Sequence, residues 1–311
     1  MVTLFILTSD NLERSFVFVE EIDMKALRVI LHNWEVAFRR FQEKQPLKVK
    51  TRGDRKSGVA MASAHAREYL TQILAGKVLS QDVKYQFVRT TRRGRRYAMC
   101  ISLQGMQRSL RQTLGSRIYF DIDIKNCHPT ILLHWCTANG IPHPMLARYV
   151  LNRDEVFREL LEPNNLRRRI GEFRYSAEVM TKDDLKEGFL SMINGGQELV
   201  THPPNILLQK FFQDHKVVME AFCAAAQNKT YVEQAKDKLK AKLAKATGSV
   251  FENVQGSAMN LYFCCVEDTI MATVEAYLKA KGIRIGTLCF DGALIYKQDV
   301  PASGVKKIII S

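Results

Sequence analysis

The chain has 311 residues, 46% of them apolar, and a formal net charge of +14 from 46 Lys and Arg against 32 Asp and Glu. That length and apolar content can fill two or three subdomains and exclude a minimal binding module, while the charge points to a polyanionic partner. Seven cysteines with no C-x-x-C pair argue against a disulfide frame or structural zinc and predict a reducing, intracellular compartment.

In chain order, Val2-Thr-Leu-Phe-Ile-Leu-Thr8 is too short for a signal-peptide core and is followed by acidic residues. No run reaches the roughly 18 apolar residues of a membrane span, so a soluble chain with no membrane partner is expected. Apolar spacing over 24–43 (Leu27, Ile30, Leu31, Trp34, Phe38) predicts one amphipathic helix. A basic loop follows at Lys48–Lys56, then a second helix over Ala62–Leu79, then the densest basic patch, Arg89-Thr-Thr-Arg92-Arg93-Gly94-Arg95-Arg96-Tyr97. A strand carrying Asp121 and Asp123 begins near Arg117, and Pro129 opens a helix through Leu132, Leu133 and Trp135.

From about 145 to 248 the pattern is helical, broken by Pro163, Gly195-Gly196 and Pro203-Pro204; Val232–Ala246 carries five lysines and reads as a solvated helix face. Gly256–Lys281 has an apolar stripe at helical spacing, and Gly282 is a natural stop. Thr287-Leu-Cys-Phe-Asp291-Gly292-Ala-Leu-Ile then predicts a tight hairpin with Asp-Gly at its turn. The sequence ends at Lys306-Lys307-Ile-Ile-Ile-Ser311, strand-like and without terminating structure, as in a piece of a longer protein.

Two strand signals about 170 residues apart thus carry carboxylates among β-favouring apolar residues. Asp121 and Asp123 share a strand face because side chains alternate; taken alone, Asp123 or Asn126 would serve equally well as a helix N-cap. Asp291 in the same setting favours a metal clamp, since strand-borne carboxylates brought together can hold two Mg2+ ions around a phosphoryl group. Lys182 and Lys186, one turn apart on one helix face, repel each other unless an anion such as a triphosphate lies between them. Asn253-Val-Gln255-Gly256-Ser257-Ala258 is a polar, small-residue helix entry, where a backbone can approach a nucleic-acid groove and an amide can bond a sugar or base edge.

In order and spacing these pieces resemble the family A DNA polymerases, closest to the divergent branch of transposons and large DNA viruses often joined to a superfamily 3 helicase. Asp121-Ile-Asp123-Ile-Lys-Asn126-Cys-His128-Pro129 resembles the first palm motif, Lys186 with Gly195 nine residues on the fingers helix, and Asn253-x-Gln255-Gly256-Ser257-Ala258 the Asn-x-Pro-x-Gln-Gly-Thr-Ala motif. Phe290-Asp291-Gly292 stands where the family has His-Asp-Glu, and Arg92-Arg93-Gly94-Arg95 with Ser102-Leu-Gln104 resembles a primer–template contact pair. Asn194 replaces a sugar-selecting tyrosine, Gly292 an acidic residue, and His128 lies in the steric-gate region.

The resemblance implies an α+β right-hand architecture: a thumb-like, largely helical 1–88, a small antiparallel palm sheet from 89–135 and 250–311, and helical fingers over 136–249. It implies template-directed DNA synthesis with two Mg2+ held by Asp123 and Asp291, Asp121 being the alternate. Lys186, Lys182, Asn194 and His128 would face the nucleotide; Arg92, Arg93, Arg95, Gln104 and Gln255 would face DNA. Primer–template, nucleoside triphosphates and a fused or associated helicase are the implied partners. A primase, a single-subunit RNA polymerase, a two-metal nuclease and a non-catalytic nucleic-acid-binding domain stay open as alternatives.

Overall fold

The computed structural model describes residues 16–44, 80–87, 94–100, 102–162, 165–169, 176–244 and 252–300, with helical positions at 64, 66–68 and 70–75. The apolar run Val2–Thr8, the expected strand-like end at Lys306–Ser311 and the basic loop at Lys48–Lys56 lie outside the described residues. The first elements are β1 (Phe16–Glu21), α1 (Met24–His32), α2 (Trp34–Lys44), β2 (Ser80–Phe87), β3 (Arg96–Ala98), α3 (Arg108–Gly115) and β4 (Tyr119–Asp123). There follow α4 (Cys127–Ala138), α5 (Pro144–Leu151), α6 (Arg153–Leu161), β5 (Arg167–Arg168), α7 (Lys182–Ile193), β6 (Thr201–His202), α8 (Ile206–Ala224) and α9 (Lys229–Leu243). The long α10 (Val254–Ala280) leads into β7 (Ile285–Leu288) and β8 (Gly292–Tyr296). The protein is α+β with small antiparallel sheets, and its contacts divide it into two units, Met1–Ile124 with Asp268–Ser311, and Lys125–Glu267.

The first unit holds two three-stranded sheets, β1-β2-β3 and β4-β8-β7, every neighbour antiparallel. The N-terminal stretch expected to be helical therefore also supplies two strands. The helix predicted over 24–43 is two helices, because the chain breaks at Asn33, whose side-chain amide donates to the Val29 carbonyl at 3.1 Å. An Asn side chain competes for backbone groups in this way, which disfavours it inside a helix. Asp23 caps α1 by accepting from the Lys25 and Ala26 amides. One core joins Leu27, Ile30, Trp34 and Phe38 to Leu110, Leu114 and the cross-strand pair Tyr119 and Tyr296, whose rings lie 4.9 Å apart. A second core sets Val83 and Tyr85 with Met271 and Leu278 of α10 and Ile285, Leu288, Ala293 and Ile295 of the hairpin.

Glu20, only 1% exposed, ties the two sheets of this unit together. Its carboxylate accepts from Thr287 Oγ1 at 2.8 Å on β7, from the Leu103 amide at 3.0 Å and from Tyr85 Oη at 3.4 Å on β2. Tyr85 Oη in turn accepts from the Leu288 amide at 3.2 Å. A buried carboxylate is tolerated only when its lone pairs are filled in this way.

The second unit is helical around an aromatic core. Tyr149 stacks on Phe189 with centroids 4.5 Å apart, and Phe189 meets Phe211 edge-on at 4.8 Å. α7 begins with a capping box between Thr181 and Asp184. Its C-terminus runs against the start of α10 so closely that a Cβ on Gly256 would lie 2.0 Å from the Asn194 carbonyl oxygen, and one on Gly195 would lie 2.8 Å from Gly256 Cα. The breaks expected at Gly195-Gly196 and Pro203-Pro204 fall between helices, the one at Pro163 lies outside the described residues, and α9 buries only Ala235, as a solvated face would. Among the described residues no helix is long and apolar enough to cross a membrane.

The same unit buries two histidines, His143 and His215, with ring centroids 5.9 Å apart. His215 Nε2 pairs with the Ile193 carbonyl at 3.2 Å, while His143 Nε2 and His215 Nδ1 have no hydrogen-bond partner among the described residues. Burial pulls both pKa values down to about 4, and His143 adds to the effect on His215.

Three outcomes follow for stability. Gly256→Ala should destabilise by about 3 kcal/mol in urea unfolding, because the clash is with backbone that cannot rotate away. Gly282→Ala, at φ +71° with no neighbouring atom within 4 Å, should lose only about 1–2 kcal/mol from the left-handed backbone. The histidines are neutral in the fold and titrate near 6.5 when unfolded, so the unfolded state binds more protons between the two values. Stability is full above about pH 6.5 and falls as the pH drops towards 4, by roughly 3 kcal/mol per histidine at most. The urea midpoint of a His143→Gln/His215→Gln variant should vary less across that window than the parent's.

Candidate active site

On β4, Asp121 and Asp123 are exposed and Phe120 and Ile122 half-buried, so the alternation places both carboxylates on one face, which Tyr119 shares at its buried end. Asp121 lies opposite Leu294 and Asp123 opposite Gly292 in the ladder with β8. The hairpin closes through the Cys289 amide, which donates to the Gly292 carbonyl at 2.8 Å, leaving Phe290 and Asp291 as the two turn residues. Phe290 takes the left-handed conformation, φ +63°. The Asp291 carbonyl accepts from the Ile124 amide at 2.9 Å, anchoring the turn to the strand of the other two carboxylates.

This corrects the turn expected at Asp291-Gly292, which sits one residue earlier. Gly292 opens β8 because β4 passes too close for any side chain. A Cβ there would lie 2.4 Å from the Ile122 carbonyl oxygen and 3.3 Å from Asp123 Oδ1. The acidic residue that the polymerase pattern has at this position could not fit here.

Among the described residues no three His, Cys, Asp or Glu side chains form a ready metal cluster. The donor set nonetheless fits Mg2+, which takes one or two carboxylates at a wet edge and completes its shell with water and substrate phosphate. Asp121 and Asp123 are exposed and Asp291 half-buried, all with hard oxygen donors. Burial pushes the neighbouring Cys289 thiol up to about 12; Arg111 opposes this, and the charges of Asp121, Glu20 and Asp123 add to it. The thiol is therefore protonated at neutral pH and contributes neither a soft ligand nor a nucleophile.

The basic patch divides. Arg92 and Arg93 lie outside the described residues. Arg95 sets its guanidinium carbon 4.8 Å from the centre of the Phe290 ring. Arg96 is 4% exposed and pairs with Asp268 at 2.6 Å and Glu275 at 2.5 Å on α10, so it is a buried tie and not a surface contact. Burial works against its charge, and the two carboxylates more than offset that. Gln104, 7% exposed, donates to the Arg96 carbonyl at 3.0 Å and accepts from the Ala98 amide at 2.9 Å. Its amide is committed to holding β3, which differs from the nucleic-acid contact expected of it.

In the second unit Lys182 and Lys186 are both exposed, one turn apart on α7. Asn194 ends that helix as a hub. Its side-chain amide donates to the Leu190 carbonyl at 2.7 Å, its Oδ1 accepts from Asn260 at 3.0 Å, and its carbonyl accepts from Asn253 at 2.9 Å. Asn253 caps α10 by accepting from the Gly256 amide at 2.8 Å, leaving Gln255 exposed in the first turn. The small residues of this segment thus admit the chain's own backbone. His128 pairs through Nε2 with the buried Glu267 at 3.1 Å and rests against the Phe263 ring. Asn126 stands at the N-cap position of α4 with φ +52°, but its side chain makes no cap bond and instead accepts from Arg153. Glu20, Glu267, Asp268 and Glu275 were missed from the sequence; the available signal was acid interrupting apolar runs on β1 and α10.

No family model matches the chain. Over 203 residues it is 25% identical to the putative helicase V13 of Sputnik virophage, a match covering 62% of this chain and 23% of that protein. The chain therefore spans about a quarter of the length of that virophage relative.

Proposed function

We propose that the chain catalyses template-directed nucleotidyl transfer, the attack of a primer 3′-hydroxyl on the α-phosphate of an incoming nucleotide, in replication of a virus-like or mobile genome. The observation that carries this reading is the backbone pairing that sets the Asp291 turn against β4, the strand of the exposed Asp121 and Asp123. The charge distribution supports it. The unit holding these carboxylates has 28 of the 46 Lys and Arg and 16 of the 32 Asp and Glu, or +12, against +2 for Lys125–Glu267. A polyanion would be drawn to the unit that carries the acids.

Asp123 and Asp291 are the proposed ligands, with Asp121 as the alternate. Two Mg2+ ions, when bound, would supply charge neutralisation for the in-line transition state and acidify the attacking hydroxyl. Lys186 and Lys182 would take the β- and γ-phosphates and follow the charge onto pyrophosphate. His128, fixed by Glu267, and Asn194, fixed by Asn260, would shape the nucleotide pocket through their rigid positions. Arg92, Arg93 and Gln255 would grip the primer–template backbone. The likeness to a virophage putative helicase favours a replicative setting with a helicase on the same chain or beside it. The chain itself has no Gly-x4-Gly-Lys-Ser/Thr loop to cradle ATP phosphates, which favours nucleotidyl transfer over an ATP-driven motor.

Primer extension with dNTPs and rNTPs on DNA and RNA templates tests the reading. Extension supports it, degradation assigns a nuclease, and neither outcome leaves a binding domain. Asp123→Ala and Asp291→Ala should each abolish incorporation with DNA affinity near normal, because metal ligands act on the transition state; near-normal extension by either would remove that residue from the site. Asp121→Ala decides which β4 carboxylate is the main ligand. Lys186→Ala should lower the maximal rate by one to two decades, as loss of a charge-assisted contact worth about 1.5–3 kcal/mol implies. Primer–template affinity should stay the same, and Lys182→Ala should act in the same direction more mildly. Weakened DNA binding with unchanged nucleotide kinetics would assign α7 to the duplex.

A further inference from the structure

Phe290 is an unexpected residue for its position. A left-handed backbone suits glycine, and a side chain there costs about 1–2 kcal/mol. Among the described residues the ring is part of neither the Leu27–Tyr296 nor the Val83–Ile295 core of its unit. It is gripped instead by two residues of the β3 segment. The Arg95 guanidinium carbon lies 4.8 Å from its centre, and the Tyr97 ring meets it edge-on with centroids 5.4 Å apart at 65°. Arg95 and Tyr97 flank Arg96 in sequence, and Arg96 points the other way into its ion pairs with Asp268 and Glu275. β3 is thus pinned on one face to α10 and on the other holds Phe290. Tyr97 stays 39% exposed.

We infer that Arg95 and Tyr97 are positioning residues that clamp the Phe290 ring and thereby fix the turn carrying the Asp291 carboxylate. This rests on the reading of Asp291 as a metal ligand. Backbone bonds from Ile124 and Cys289 hold the ends of the turn, and the clamp removes the remaining freedom at its left-handed residue. A ligand fixed this way needs less reordering when a cation binds.

The test is Mn2+ binding to the full chain without nucleotide, followed by electron paramagnetic resonance of the free ion. The parent should bind saturably, and Asp123→Asn and Asp291→Asn should lose that binding. Phe290→Gly, Tyr97→Leu and Arg95→Met should each weaken it about tenfold, the range found when a ligand's supporting contacts are removed. Phe290→Tyr should restore it. The Arg95→Met result discriminates, since removing a positive charge near a cation site should strengthen binding by Coulomb's law alone. Urea midpoints provide the fold check, and Phe290→Gly should be no less stable than the parent because its backbone strain is relieved. If Phe290→Gly does not fold, Tyr97→Leu and Arg95→Met carry the test. Clamp variants that bind like the parent, or tighter binding by Arg95→Met, would overturn the positioning role while leaving the ligands in place. If the two aspartate variants bind Mn2+ like the parent, or the parent shows no saturable binding, the metal reading itself fails.

Discussion

The close passage of β4 along β8 is the constraint from which the candidate site follows. Asp123 faces a residue with no side chain because the Ile122 carbonyl occupies the space where a Cβ would sit. That approach draws the ladder up to the turn, so the Asp291 carbonyl reaches the Ile124 amide, one residue beyond the strand that carries Asp121 and Asp123. Any bulk at 292 would push the hairpin off β4 and separate the acids. A glycine within a strand normally weakens it; here it allows the backbones of β4 and β8 to approach up to the turn.

Two buried polar networks hold this arrangement from behind. Glu20 bridges β1, β2 and β7 through filled hydrogen bonds, and Arg96 fastens β3 to α10 through two carboxylates. Neither network is strong evidence of net stability, because desolvation offsets much of the gain from buried charge. Their effect is to fix register: a slip by one residue would leave a buried charge without a partner. The Arg96 tie also sets which side chains of β3 turn towards the hairpin, linking a core ion pair to the geometry of the turn.

The second unit solves a different packing problem. α7 and the start of α10 meet backbone to backbone at Gly195 and Gly256, and Asn194, Asn253 and Asn260 saturate the polar groups exposed by that crossing. The exposed Lys182 and Lys186 are carried on the helix whose end is locked there. With the net charge of this unit near balance and that of the other strongly positive, a role for the two lysines has to come from their local pairing on one face and not from a general basic field.

The sequence by itself determined the local elements. Helical spacing placed α10 with its stop at Gly282, Pro129 marked the start of α4, Gly195-Gly196 the break after α7, and the Asp-Gly signal found the hairpin, because each rests on interactions within a few residues. It also marked Asp121, Asp123 and Asp291 as acids in apolar strands. Tertiary structure decided what local pattern cannot encode. The break at Asn33 and the turn at Phe290-Asp291 depend on which backbone group wins a competition. Gly292 looked like a turn residue and is instead a gap left for β4. Arg96 and Gln104 looked like surface contacts and are buried, the arginine by partners 172 and 179 positions away. A charge and its buried counter-charge leave no periodic trace when they are that far apart, so only the folded chain could pair them.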